Sequence, residues 1–239
     1  WKTSNWGLDY IPVFDNESTY SIGCITIDPN NTNTVWVGTG ENNNQRSVAY
    51  GDGIYKSLDG GNSWKNMGLK NSEHIGNILV HPDNSDVVYV SAYGPLWSNG
   101  GDRGIYKTED GGNTWNKILY IDEHTGFNEI HMDPRNPDVL YATSHQRRRH
   151  VYTYVGGGPG SGIHKSKDGG ITWKEINKGL PNVEIGRIGM DISDANPEII
   201  YAIVEAAERK GGFYKSTNRG ETWVCLLYTS PSPRDNSGS

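Results

Sequence analysis

One eight-residue pattern recurs along this chain and limits the folds open to it. SLDGGNSW (Ser57 to Trp64), TEDGGNTW (Thr108 to Trp115), SKDGGITW (Ser166 to Trp173) and STNRGETW (Ser216 to Trp223) share the form S/T-x-D/N-x-G-x-x-W, and TSNWGLDY (Thr3 to Tyr10) is a worn fifth copy. We call this unit the box. A motif that returns at a nearly fixed period signals a repeat architecture, in which each unit buries its face against the next. The closing aromatics Tyr10, Trp64, Trp115, Trp173 and Trp223 lie 54, 51, 58 and 50 residues apart, room for four short strands and their turns.

A second motif fills each interval: ITIDPNNTNTVWVGT (Ile25 to Thr39), ILVHPDNSDVVYVSA (Ile78 to Ala92), IHMDPRNPDVLYATS (Ile130 to Ser144) and MDISDANPEIIYAIV (Met190 to Val204). Each reads as strand, turn, strand, with Pro, Asp and Asn supplying turn chemistry and β-branched or aromatic residues supplying strands. A variable loop, a third strand such as GIYKS (Gly53 to Ser57), the box turn and a fourth strand opened by Trp complete the unit. The order is a four-stranded antiparallel meander, the blade of a β-propeller. No helical periodicity competes, and 31 glycines with 14 Tyr and 8 Trp against 3 Phe suit a turn-rich β chain. The fold class expected is therefore all-β, a propeller fragment of about four and a half blades: a blade part over 1–15, then blades over about 20–69, 74–119, 127–178 and 185–224.

Residues 225–235, CLLYTSPSPRD, resemble a translated sequencing adapter, so 225–239 is expected to be a non-native tail that deprives the last blade of its outer strand. On that reading the blades form an open arc, and the isolated chain should be poorly soluble or oligomeric because blade faces are left bare. A formal charge of −6 gives no global field that would attract nucleic acid. No apolar run is long enough for a membrane-spanning helix. The two cysteines do not suggest a structural disulfide.

In the box, the acceptor at Asp59 can take backbone N–H groups of the turn while Gly61 adopts positive φ. Asn5 and Asn218 at the same position show that charge is dispensable, so Asp59, Asp110 and Asp168 are read as structural and not catalytic. This motif resembles the Asp-box (BNR) repeat shared by bacterial sialidases, oligoxyloglucan-type glycosidases, sortilin-type receptor ectodomains and a photosystem assembly factor. The likeness spans residues 1 to about 224. GTGENNNQRSVAYGDGIYKS (Gly38 to Ser57) and QRRRH (Gln146 to His150) are similar to bacterial sortilin N-terminal-like and glycosyl-hydrolase-like BNR proteins. The resemblance implies a secreted or periplasmic protein, boxes on one rim and ligands on the other.

The strand 2–3 loops, Glu41 to Asp52, Tyr93 to Arg103, His145 to Gly162 and Glu205 to Gly211, vary in length and content as a specific site requires. Candidate ligand-binding residues are Glu41, Asn42, Arg46, Tyr93, Trp97, Arg103, His145, Gln146, Arg147, Arg148 and Arg149. Tyr93 and Trp97 could stack on a sugar or clamp a peptide side chain, and the arginines could fork onto a carboxylate or phosphate. The loops of blades 1 and 3 are expected to meet near the axis, and replacing Arg147, Arg148 and Arg149 by Ser should leave stability within about 0.5 kcal/mol, as at a surface. Glu41 and Glu205 are the acids at matching strand ends, candidates for two-carboxylate glycoside hydrolysis if a narrow channel brings them together. No cofactor, metal set, nucleophile elbow or phosphate-binding loop is indicated. The primary expectation is a binding module for a peptide or glycan, anionic ligands favoured; an exported glycoside hydrolase is the alternative and an assembly scaffold the third.

Overall fold

The computed structural model describes residues 1–228. Four antiparallel sheets follow one another along the chain, each a meander in sequence order. Blade 1 contains β1 (Ile22–Ile27), β2 (Val35–Thr39), β3 (Ile54–Ser57) and β4 (Lys65–Gly68). Blade 2 contains β5 (Ile75–His81), β6 (Asn84–Ala92), β7 (Gly104–Thr108) and β8 (Asn116–Leu119). Blade 3 begins with β9 (Thr125–Asp133) and β10 (Asn136–Gln146), inserts a ribbon of β11 (Arg148–Arg149) and β12 (Tyr154–Val155), and ends with β13 (Gly162–Ser166) and β14 (Lys174–Glu175). Blade 4 contains β15 (Ile185–Ile192), β16 (Ile200–Ala206), β17 (Gly212–Ser216) and β18 (Val224–Tyr228).

The last strand corrects one expectation. β18 pairs with β17 through Lys215↔Val224, Tyr214↔Cys225, Phe213↔Leu227 and Gly212↔Tyr228, so blade 4 has its outer strand although these residues fall in the adapter-like stretch. An exposed strand edge offers unpaired N–H and C=O groups to any extended neighbour, and VCLLY supplies apolar, strand-forming residues. The remainder of that stretch, 229–239, lies outside the described residues. Among the described residues, no backbone pairing joins blade 4 to blade 1 or to residues 1–15.

Each box forms the turn its composition demands. The Asp59 carboxylate accepts from Asn62 N (2.9 Å), Ser63 N (2.9 Å), Ser63 Oγ (2.6 Å) and Ser57 Oγ (2.8 Å). Gly61, at φ 92°, donates its N–H to Ser57 Oγ at 2.8 Å. Bonds from the side chain and backbone of Thr114, then from Thr108, hold Asp110 down at about 2, and Thr172 with Ser166 does the same for Asp168. Asn218 accepts the equivalent bond from Thr222 N at 2.9 Å, with no charge involved.

Blades are joined by repeated contacts. A lysine immediately before one box donates to the carbonyl of the fourth residue of the next box: Lys2 to Gly60 (2.7 Å), Lys56 to Gly111 (3.0 Å), Lys165 to Arg219 (2.7 Å). A box tryptophan donates Nε1 back to the preceding blade: Trp64 to Val13 O (2.6 Å), Trp115 to Met67 O (2.8 Å), Trp223 to Ile176 O (2.8 Å). Met67 lies at a β-bulge, where β3 pairs with Asn66 and Gly68 but skips it; a bulged residue is left out of the ladder, so its carbonyl can serve the neighbouring blade. The cores lie largely between sheets, with Trp36, Tyr89 and Tyr141 almost fully buried.

Candidate functional site

The boxes and the strand 1–2 turns share one rim, bonded through Gly60 N to Asn33 O (2.8 Å), Gly111 N to Asp86 O (3.0 Å) and Gly169 N to Asp138 O (2.9 Å). In an antiparallel meander the strand 2–3 loops then stand on the opposite rim. There the structure brings the blade 1 and blade 3 loops together. Arg147 Nη1 donates to Asn43 O (3.2 Å) and Asn44 Oδ1 (2.9 Å), and Arg149 Nη2 to Asn44 O (2.6 Å). Arg187, on the innermost strand of blade 4, reaches Asn42 O at 2.9 Å.

This junction changes the reading of the arginines. Arg147 is fully buried, with its guanidinium 3.4 Å from the centre of the Tyr93 ring. Arg103 is also fully buried and gives its donors to the carbonyls of Gly100 (2.9 Å), Tyr93 (2.9 Å), Ser98 (2.9 Å) and Pro95. Burial, and then repulsion from Arg147 and Arg148, lowers Arg103 to about 10. Both were expected to face an anion, and instead both satisfy loop carbonyls, because irregular loops leave backbone acceptors that a five-donor fork can collect. Arg149 is likewise bonded to a loop carbonyl and lies 4.8 Å from the Tyr154 ring centre. Arg148 is half-buried, in the β11–β12 ribbon.

Several other candidates are engaged by groups of the protein itself. Tyr93 is fully buried, hydrogen-bonded through its hydroxyl to His145 Nδ1, and offers no face to a ligand. His145 contacts Gly156 O at 3.2 Å through Nε2, and burial lowers it to about 3. Gln146 accepts from Gly160 N at 3.2 Å. Asn42 ties blades 1 and 2 by donating to Ile75 O (2.9 Å), Gly23 O (3.2 Å) and Gly76 O (3.3 Å). Glu41 accepts from Asn43 Nδ2 at 2.7 Å. Glu205 does not share a cleft with it: Glu205 lines a space of about 260 Å³ with Glu184, Gly156, Gly157 and Gly186. Glu184 is a second carboxylate that sequence position did not single out.

A second, larger groove of about 530 Å³ opens on this rim between blades 1 and 2, lined by Tyr20, Arg46, Ser47, Val48, Ala49, Tyr50 and Trp97. Tyr20 is 88% exposed, Tyr50 63% and Trp97 38%. Of these, Trp97 and Arg46 were expected. Tyr20 was not, since it precedes β1 and comes from another part of the chain. Its signal was available in principle: a large aromatic outside the strand pattern with no partner position in the other repeats.

Fold and rim together define an Asp-box-type β-propeller arc that resembles glycosyl hydrolases of this architecture. A family model described as sortilin, neurotensin receptor 3, matches residues 52–158. Xyloglucanase Xgh74A of Acetivibrio thermocellus is 27% identical over 207 residues, covering 74% of this chain and 22% of that protein. Among solved structures, the GH74 xyloglucanase of Xanthomonas campestris superposes with a TM-score of 0.63 at 15% identity, covering 85% of this chain and 29% of its own. A GH74 enzyme of Niastella koreensis gives 0.61 at 21%, covering 84% and 28%. This chain thus spans less than a third of the length of these relatives.

Proposed function

We propose that this chain is a segment of a glycoside-hydrolase-type propeller that holds a neutral polysaccharide of the xyloglucan class on its loop rim. The observation that carries the reading is the groove with Tyr20, Tyr50 and Trp97 exposed along it: sugar rings present apolar C–H faces that stack on aromatic side chains, while hydroxyls bond the polar rim. The xyloglucanase relatives support the glycoside-hydrolase alternative better than the module for a peptide or glycan expected first. With Arg103 and Arg147 committed to carbonyls, an anionic ligand loses its main support. Glu205, with Glu184 on the same cleft, is the candidate for general acid–base work. A polymer of this kind is met outside the cell, which favours export.

Native gel electrophoresis with xyloglucan cast in the gel tests the proposal. The chain should be retarded, Trp97→Ala and Tyr50→Ala should each relieve most of the retardation, and Glu205→Gln should leave it unchanged. Equal mobility with and without the polysaccharide would sink the reading. A peptide-binding reading draws on the match at 52–158 and predicts instead that the aromatic variants leave migration in xyloglucan unaltered.

A further inference from the structure

Trp97 stands on a loop with little structure of its own. Residues 93–103, YGPLWSNGGDR, join β6 to β7, and one backbone bond, Arg103 N to Gly101 O at 3.1 Å, is internal to them. The amides of Tyr93, Gly100 and Asp102 donate instead to the carbonyls of His74, Glu123 and Asn71. Gly94, Gly100 and Gly101 stand at φ 74°, 72° and 72°, and glycine loses the most conformational freedom when a chain is ordered. A segment of this composition holds one shape only where a partner gathers it. Blade 2 has a neighbouring blade on each side, so the surroundings of this loop are those of an internal repeat.

The fully buried guanidinium of Arg103 is that partner. Nη1 donates to Tyr93 O and Nε to Gly100 O, each at 2.9 Å, and Nη2 donates both to Pro95 O and, at 2.9 Å, to Ser98 O. Nη2 therefore ties the carbonyl two positions before Trp97 to the carbonyl one position after it. The turn between them buries Leu96 and leaves the Trp97 indole lining the groove. The fit is close, since a Cβ on Gly94 would fall 2.3 Å from Arg103 Cγ. A planar fork with five donors can hold four carbonyls at once, whereas an ammonium offers three donors from one point.

We propose that Arg103 is a positioning residue for the groove: by fixing the turn 95–98 from within, it holds Trp97 as the wall on which a sugar ring stacks. The ligand in this statement rests on the glycan reading above; the hold on Trp97 does not. An aromatic set in place before the ligand arrives spares binding the cost of ordering side chain and loop. Loss of the fork therefore weakens glycan binding without removing any group that meets the sugar, and it does so only while Trp97 is present.

Fluorine NMR of the chain labelled with 5-fluorotryptophan at its eight tryptophans reads the hold without ligand, the Trp97 line being identified by its loss in Trp97→Phe. In Arg103→Lys that line should move toward the shift of the free amino acid while the other seven stay. Gly94→Ala, which crowds the guanidinium and keeps every donor, should displace the same line. Calorimetric titration with a xyloglucan oligosaccharide reads the consequence: Arg103→Lys should bind about three- to tenfold more weakly than the wild type, yet add no further loss in a Trp97→Ala background. A wild-type chain that ignores the oligosaccharide refutes the glycan reading, and the fluorine spectra still judge Arg103. An unmoved Trp97 line in both variants overturns the proposal, as does loss of all eight native shifts in both, which makes Arg103 a support of the whole fold. So does wild-type affinity in Arg103→Lys, or a penalty that persists without Trp97.

Discussion

Replacing Arg147 by Ala tests whether the loop rim is held from within. The side chain is fully buried, makes its two closest hydrogen bonds to Asn43 O at 3.2 Å and Asn44 Oδ1 at 2.9 Å, and stacks on Tyr93 at 3.4 Å. Hydrogen bonds from a charged donor contribute about 1.5–3 kcal/mol each, and a desolvated cation–π contact about 2. Against these stands the cost of keeping a guanidinium out of water, several kcal/mol, visible as the downward push of burial on the Arg147 pKa. The sum leaves a loss of about 3 kcal/mol for Arg147→Ala, since truncation strands two acceptors and opens a cavity. Urea unfolding followed by tryptophan fluorescence reads the loss, and hydrogen exchange should speed at the amides of 42–44. Arg148→Ser is the control, expected within about 0.5 kcal/mol. An Arg147→Ala midpoint equal to that of the control would refute the reasoning and restore the surface reading of the whole arginine run.

Three further outcomes follow from the same structure. Burial holds His74 and His145 at about 3 and His164 at about 4, below the ordinary His value. The unfolded chain therefore takes up protons near pH 6.5 that the folded one refuses, and stability must fall as pH drops from about 6.5 toward 4, by about 1.4 kcal/mol per pH unit for each histidine; a urea midpoint that is flat between pH 7 and 5 contradicts this. Gly112→Ala forces an L-residue to φ 96° with its Cβ 2.7 Å from Trp36 and should cost about 1–3 kcal/mol, whereas an unchanged melting temperature would mean that the box and ring can separate freely. Asp59→Asn should keep the fold, as Asn218 does in blade 4, while Asp59→Leu should lower the melting temperature; equal melting of the Leu variant would remove the box acceptor from the account.

The sequence by itself determined the blade. The box spells out its own turn through contacts no more than four residues apart, such as Gly61 N to Ser57 Oγ and Ser63 N to Asp59 Oδ1, and local bonds leave a local signature that repeats. Strand order and the division of the rims were legible for the same reason, because a meander pairs neighbours in sequence. Tertiary structure alone decided which polar loop residues are buried and which stay accessible. Arg147 bonds residues 103 and 104 positions away, and nothing in QRRRH separates the arginine that is buried on Tyr93 from the one beside it. Tyr20 joined Tyr50 and Trp97 in one groove in the same way, from three segments with no shared motif. A pattern in sequence records what a residue does with its neighbours along the chain, and a loop side chain's burial depends on partners that only the closing of one blade against the next brings near.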